Sequence, residues 1–148
     1  MGRRRAREPA VISLTRRYRF PAAHALRRGD WSEAENERAY GKCANPRGHG
    51  HDYAVEITVS GALDPRSGRL VDPAALDAVV EEAVLRRFGH RMLNEDPLFA
   101  ERVPTAEHIA VAVHALLAAP LAERAGVALR GVRVRETRNN TFDFGDVR

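Results

Sequence analysis

The chain has 148 residues, of which 44% are hydrophobic and 30% are charged, and these proportions fit one globular domain with a buried core. Its single cysteine excludes an internal disulfide, and we expect no apolar run as long as the roughly 20 residues that cross a bilayer. We therefore expect a cytoplasmic protein without a membrane partner.

The positive charge is concentrated at the N-terminus. The formal net charge is +4, and four of the first seven residues are arginines. No aromatic residue lies among them, whereas nucleic-acid binding often relies on aromatic stacking. We expect residues 1–10 to form a disordered basic tail before a single domain over residues 11–148, and we do not expect nucleic acid as a partner.

The first predicted strand covers Val11–Phe20, where apolar side chains alternate with polar ones. Pro21 is expected to end the strand or to place it at an edge. The alternation nevertheless continues to His24, which would face the same side as the apolar residues. His24 is therefore a candidate metal ligand, and the alternative is a histidine that is merely packed and hydrogen-bonded.

A polar segment over Arg27–Tyr40 predicts a long loop with a helical turn near Ser32–Glu35, covering the site. A second strand follows, since Tyr53, Val55, Ile57 and Val59 alternate with polar or small residues.

The intervening run Gly41–Tyr53 contains the cysteine and two of the six histidines. His49 and His51 are two residues apart, so they project from the same side of an extended chain. With His24 they would supply three ligands to a zinc-type ion and leave a fourth position open. A thiol beside a metal cation ionises readily, so Cys43 could act as a base; the alternative is a small buried hydrophobic residue.

Two amphipathic helices are predicted after the second strand. The first covers residues 72–89, with an Asp-Pro N-cap signature and a final glycine. The second covers residues 104–120 and ends at a proline. His108 and His114 lie off its apolar stripe, which favours structural or surface positions.

A third strand around Val132–Val134 and a short fourth strand over Thr141–Phe144 complete the pattern. Glu136 continues the apolar phase of the third strand. An inward carboxylate costs several kcal/mol unless it is paired; the alternative is that the strand emerges into water there. The order β-β-α-α-β-β predicts an α+β fold, with an antiparallel four-stranded sheet and two helices on one face.

Three stretches resemble the 6-pyruvoyl-tetrahydropterin synthase family: Phe20–His24, Gly41–Tyr53 and Glu136–Thr137. The 6-carboxy-tetrahydropterin synthases of queuosine biosynthesis share this superfamily. The resemblance runs from Val11 to the C-terminus. Five residues separate Cys43 from the first histidine of the pair, and a long insert precedes them. Both features are more similar to the pyruvoyl type.

The resemblance implies the tunnelling fold, in which subunits join their sheets into barrels, commonly as a hexamer of two trimers. It implies a carbon–oxygen lyase that eliminates triphosphate from 7,8-dihydroneopterin triphosphate. The residues to which it gives roles are His24, His49 and His51 as Zn²⁺ ligands, Cys43 as the proton-abstracting group, and Glu136, Thr105 and Glu107 as pterin contacts.

One position departs from the family pattern. Relatives usually have an Asp-His relay after the first helix, whereas this chain has Gly89-His90. His90 matches the catalytic histidine but lacks the carboxylate that fixes its tautomer. Three interpretations stay open: Asp96, Asp72 or an acid of another subunit replaces it, the enzyme is slow, or the activity is altered or lost. The alternative functions are a 6-carboxy-tetrahydropterin synthase and a divergent pterin-binding protein.

Overall fold

The structure is a computed structural model that describes residues 11–148, so the predicted tail over residues 1–10 lies outside the described residues. Four strands form one antiparallel sheet in sequential order. They are β1 (Ile12–His24), β2 (His49–Gly61), β3 (Ala128–Thr137) and β4 (Asn140–Gly145). The predicted α+β fold with an antiparallel four-stranded sheet is confirmed.

Strand β1 continues through Pro21 to His24, beyond the predicted end at Phe20. All 13 of its residues pair with β2. A proline is tolerated here because β1 lies at the edge of the sheet, where the missing N–H is not needed on the open side. As a consequence, His24 lies directly opposite His49, and Ala22 lies opposite the second histidine of the pair.

The described part of the chain has three helices of eight or more residues, α1 (Glu33–Tyr40), α2 (Pro73–Val80) and α3 (Ala106–Pro120), and a short helical segment, Arg86–Phe88, that follows α2. Helix α1 replaces the loop that was predicted with only a helical turn. Ser32 and Glu35 form a capping box at its start. The side-chain amide of Asn36 is buried: its Oδ1 accepts from the N–H of Arg28 at 2.7 Å, and its Nδ2 donates to the carbonyl of Arg28 at 3.0 Å. Helix α1 is stabilised by polar contacts, and its sequence has no apolar residues repeating at helical spacing. Hydrophobic periodicity therefore could not predict this helix.

Both long helices extend through π-helical turns, Glu81–Leu85 after α2 and Leu121–Ala125 after α3. The prediction that Pro120 ends its helix is wrong. Its backbone has φ −60° and ψ −35°, which the pyrrolidine ring accepts, and only its own N–H donor is lost. The helix ends instead at Gly126, in the left-handed conformation that favours glycine.

The continuous segment Ala106–Ala125 is 20 residues long and, by length and composition alone, apolar enough to cross a membrane. The expectation that no apolar run reaches this length is therefore wrong. Its buried side chains Ile109, Val113 and Leu117 belong to the hydrophobic core. The segment therefore has the packing of a core helix.

Helices α2 and α3 cover one face of the sheet, and the core lies between the two layers. Valines and Ile57 of the central strands pack against the helices, and the residues involved include Val55, Ile57, Val59, Val132, Val134, Leu76, Val80, Ile109 and Val113. The opposite face is charged. A row of alternating sign crosses all four strands through Arg17, Glu56, Arg133 and Asp143, with N···O distances of 2.5, 3.6 and 2.7 Å.

Candidate metal centre and active site

Three histidine side chains meet where β1 ends and β2 begins. The ligand nitrogens of His24, His49 and His51 all lie within 4.8 Å of one another. The strand register brings them together, because His24 pairs with His49 and their Nε2 atoms are 3.0 Å apart. His51 follows two residues later, so its ring projects to the same side.

His24 is fixed on the side away from the cluster. It is fully buried, and its Nδ1 lies 2.7 Å from the carbonyl oxygen of Pro104. Because a carbonyl oxygen only accepts, Nδ1 carries the proton and the Nε2 lone pair points into the cluster. The Tyr53 hydroxyl lies 3.2 Å from the same Nδ1.

The electrostatics favour uncharged imidazoles. Burial lowers the pKa of His24 and outweighs the hydrogen bond to Pro104, which raises it; His49 and His51 lower it further, and Glu136 raises it. Burial and then the charge of His51 likewise lower the pKa of His49. The neutral ring is the form that binds a metal ion. Three imidazole nitrogens that leave a fourth position open fit a zinc-type ion, so the donor set suits the predicted metal.

Glu136 points toward the histidines. Its Oε1 lies 3.5 Å from Nε2 of His24 and 3.7 Å from Nε2 of His51, and 17% of its side chain is exposed. The inward orientation that the strand phase predicted is therefore present. Burial raises the pKa of Tyr53, and the Glu136 carboxylate raises it further, so the tyrosine hydroxyl keeps its proton beside this acid.

Cys43 lies in a 3₁₀ turn over Gly41–Ala44 and is partly buried. The Leu26 N–H donates to the carbonyl of Cys43 at 2.8 Å. The Arg27 guanidinium donates to the carbonyl of Ala44 at 2.9 Å. The cysteine turn is thus tied to the chain just after His24. Among residues 11–148 the thiol joins no cluster of ligand atoms within 4.8 Å, which leaves Cys43 available for a role other than metal binding.

The segment that holds His90 lies along the free side of β1. The His90 N–H donates to the carbonyl of Pro21 at 2.6 Å, and the carbonyl of Arg91 accepts from the N–H of Ala23 at 2.9 Å. His90 has a positive φ of 58°, a conformation that is uncommon outside glycine. Its backbone is therefore fixed beside the histidine cluster, while its ring is exposed.

Gly89 cannot take a side chain without movement. A Cβ at this position would lie 2.5 Å from the carbonyl oxygen of Leu85, which accepts the Gly89 N–H at 2.8 Å. The helix end is therefore shaped around the glycine, and the carboxylate of the usual Asp-His pair does not fit this backbone.

The two acids of this chain that were candidates to replace that carboxylate are engaged elsewhere. Asp96 accepts from Nε and Nη2 of Arg87 at 2.8 and 2.9 Å, and Asp72 caps α2 through the N–H of Ala74. No carboxylate in residues 11–148 lies within 4.0 Å of the His90 ring. Neither acid therefore contacts the His90 ring in the described residues, and a substitute acid, from this chain or from another subunit, stays a prediction.

Thr105 and Glu107 lie at the start of α3. Thr105 is the N-cap, and its hydroxyl accepts from the N–H of His108 at 3.3 Å. Glu107 is exposed in the first turn. Thr105 directly follows the carbonyl that holds His24, yet within residues 11–148 neither side chain hydrogen-bonds to Glu136. Their predicted pterin contacts stay predictions.

The histidines of α3 have structural contacts. The Nδ1 of His108 lies 2.6 Å from the carbonyl of Val103, and the ring of His114 packs edge-on against Phe144. Neither joins the metal cluster, in agreement with the positions expected from the helical stripe.

Two supporting residues had no signal in the sequence. The carbonyl of Pro104 is a main-chain group, which no side-chain pattern reveals. Asn94 grips Ala25, the residue after His24: its Oδ1 accepts from the N–H at 2.8 Å and its Nδ2 donates to the carbonyl at 2.9 Å. An asparagine in a polar loop is predicted to be a turn residue, so the sequence alone does not indicate its contact with Ala25.

Similarity to known proteins identifies the family of this chain. Residues 13–146 match the profile of a family described as 6-pyruvoyl tetrahydropterin synthase. The chain belongs to this family. The resemblance seen in the sequence is confirmed, and family membership supports a pterin synthase activity on a small-molecule pterin.

The relatives include both types of synthase. The human 6-pyruvoyl tetrahydrobiopterin synthase is 41% identical over 128 residues, covering 86% of each chain. A putative 6-carboxy-5,6,7,8-tetrahydropterin synthase of Archaeoglobus fulgidus is 33% identical over 106 residues, covering 72% of this chain and 81% of that one. The solved 6-pyruvoyl tetrahydropterin synthase of Caenorhabditis elegans superposes with a TM-score of 0.80 at 31% identity, covering 93% and 96%. This similarity confirms the tunnelling fold.

Proposed function

We propose that the protein is a zinc-dependent carbon–oxygen lyase that converts 7,8-dihydroneopterin triphosphate to 6-pyruvoyl-tetrahydropterin and releases triphosphate. The observation that supports it most is the convergence of three histidine nitrogens beside Glu136. This arrangement offers an open metal position next to an acid that can hold a pterin.

In this proposal His24, His49 and His51 hold the zinc ion. When bound, such an ion polarises a hydroxyl of the substrate side chain and acidifies the adjoining C–H bond. Cys43 accepts the proton from that carbon as a thiolate. Two hydrogen bonds to its turn, from the Leu26 N–H and from the Arg27 guanidinium, tie the turn to the segment just after His24, which supports this position for the thiol.

Glu136 binds the pterin ring. Its carboxylate pairs with the guanidine-like edge of the ring through two parallel hydrogen bonds, the geometry that carboxylates use for guanidinium groups. Its low exposure keeps water from competing. Thr105 and Glu107 are proposed as further pterin contacts from the start of α3.

We also propose that the protein acts as a homohexamer of two trimers. The support within the chain is that β1 and β4 are the outer strands of an open sheet, whose free edges can pair with other copies. An acid from a neighbouring copy would then be able to orient His90.

Two alternatives each have an observation in their favour. The archaeal relative named as a 6-carboxy-tetrahydropterin synthase favours a different product from the same substrate. The absence of a carboxylate within 4.0 Å of the His90 ring in residues 11–148 favours a pterin-binding protein with little turnover.

One experiment separates the three. Zinc-loaded protein is incubated with 7,8-dihydroneopterin triphosphate, triphosphate release is followed, and the pterin product is identified by mass. We expect triphosphate release and the pyruvoyl product. A carboxy product would establish the first alternative, and bound pterin without triphosphate release would establish the second. A protein that neither binds nor converts the pterin would overturn the proposal.

A further inference from the structure

A groove of about 530 Å³ opens beside the histidine cluster, between the ends of β1 and β2 and the segment after α2. His51 of the histidine cluster lines one of its walls, so the groove adjoins the proposed metal position. Its other lining side chains include Asp52, His90, Arg91 and Met92. A ligand bound at the metal can therefore extend into it.

The charged side chains that line this groove leave an excess of positive charge. Asp52 accepts from Arg19 at 2.8 Å, so this pair is neutral. Arg91 has no carboxylate within 4.0 Å among residues 11–148 and its guanidinium makes no hydrogen bond there, whereas nearby Arg87 is held by Asp96. The groove thus has one uncompensated guanidinium, with the two histidine rings beside it.

The backbone of Arg91 is fixed although its side chain is exposed. Its carbonyl accepts from the N–H of Ala23, the preceding residue donates to Pro21, and the following Met92 forms a bridge with Ala23. The start of the side chain is therefore anchored next to Ala23 of β1, the residue before the proposed metal ligand His24. An arginine on a fixed backbone loses less conformational freedom when it binds.

We propose that Arg91 is a specificity-determining residue that binds the phosphate chain of the substrate in this groove. The identity of the ligand rests on the proposed function. In that proposal, Glu136 holds the pterin ring and the metal holds the hydroxyls of the side chain, so neither of them compensates the charge of the triphosphate. A guanidinium binds phosphate oxygens through paired hydrogen bonds, and Arg91 supplies the group at the end of the groove.

The proposal is tested by comparing two ligands that differ only in the phosphates, 7,8-dihydroneopterin and its triphosphate. Dissociation constants are measured by pterin fluorescence with zinc-loaded protein in a Cys43→Ala background, so that the ester is not consumed. Arg91→Ala should weaken binding of the triphosphate by about tenfold or more, as the loss of a charge-assisted contact predicts. Binding of the phosphate-free pterin should stay the same.

Two further variants control for charge and folding. Arg91→Lys keeps the charge without the paired geometry and should retain part of the preference. Arg66→Ala removes an arginine from the turn after β2, at the opposite end of that strand, and should change neither constant. Raising the salt concentration should reduce the preference for the triphosphate in the parent protein but not in the Arg91→Ala variant.

The outcomes distinguish this proposal from the function on which it rests. If the Arg91→Ala variant binds both ligands as tightly as the parent, Arg91 does not contact the phosphates. The proposed function at the pterin site would be unaffected by this result. If the parent protein binds the two ligands equally, no phosphate subsite exists. If the parent binds neither pterin, the proposed function is overturned together with this one.

Discussion

The two sides of the proposed active site differ in how they are held. The histidine cluster is part of the sheet: His24 and His49 are in register on paired strands, and His24 is buried with its outer nitrogen bound to a carbonyl. The His90 segment is attached to the sheet edge through main-chain hydrogen bonds, and the His90 ring is exposed. The comparison teaches that the fold itself holds three possible metal ligands together, whereas among residues 11–148 no carboxylate lies within 4.0 Å to orient the His90 ring.

Removing one histidine of the cluster should have the largest effect. His49→Ala leaves two of three ligands, so the protein should lose its zinc and all turnover. Metal analysis of the purified variant measures the first, and triphosphate release measures the second. Full zinc occupancy in this variant would contradict the three-histidine site.

Replacing the cysteine should separate chemistry from binding. Cys43→Ala should retain zinc and pterin, because the thiol is not in the ligand cluster, and turnover should fall by roughly 10²–10⁴-fold, as for the loss of a general base. Metal analysis, pterin fluorescence and the rate are measured on one preparation. An unchanged rate would assign proton abstraction to another group.

Restoring the missing acid should not simply improve the enzyme. In Gly89→Asp the new Cβ would meet the Leu85 carbonyl at 2.5 Å, so we expect a loss of about 1–3 kcal/mol of stability from overpacking. Gly89→Ala has the same Cβ without the carboxylate and is the matched control. Thermal unfolding measures the shared cost, and the ratio of the two rates measures the effect of the acid on His90.

A smaller effect should appear in the segment that supports His90. Hydrogen bonds from Arg87 lower the pKa of Asp96, so the folded state favours the ionised acid. This contribution is present above the unfolded pKa of about 3.9 and is lost as the pH falls below it. Asp96→Asn should cost about 1 kcal/mol at neutral pH.

The difference between Asp96→Asn and the parent should narrow as the pH falls below about 4. Chemical denaturation at several pH values checks this dependence. A constant difference across that range would mean that the ion pair with Arg87 contributes nothing measurable to stability.

Much of the candidate site could be predicted because it depends on strand periodicity. The two-residue spacing of His49 and His51, and the phase that continues from the first strand to His24, identify one face of a sheet without knowledge of the fold. The same reasoning predicted that Glu136 points inward. Periodicity predicts which face of the sheet a side chain lies on, and for these residues the face determines whether they belong to the site.

The structure differs from the sequence-based expectations at residues whose contacts with distant segments decide the outcome. Pro120 was expected to end a helix, but its backbone angles are helical and packing continues the helix to Ala125. Asp96 and Asp72 were candidates for a catalytic partner, yet an arginine and a helix N-terminus already bind them. The partners of a charged side chain depend on which segments meet, and spacing along one segment does not contain that information.

The sequence by itself determined the order of the strands and helices, the face on which the histidines lie and the membership suggested by three spaced motifs, because each depends on neighbours in the chain. Only the tertiary structure decided that the carbonyl of Pro104 sets the proton of His24, that the backbone at Gly89 excludes a side chain and that Arg91 faces the groove of His51. These depend on distances between segments far apart in sequence, which the folding of the whole sheet establishes.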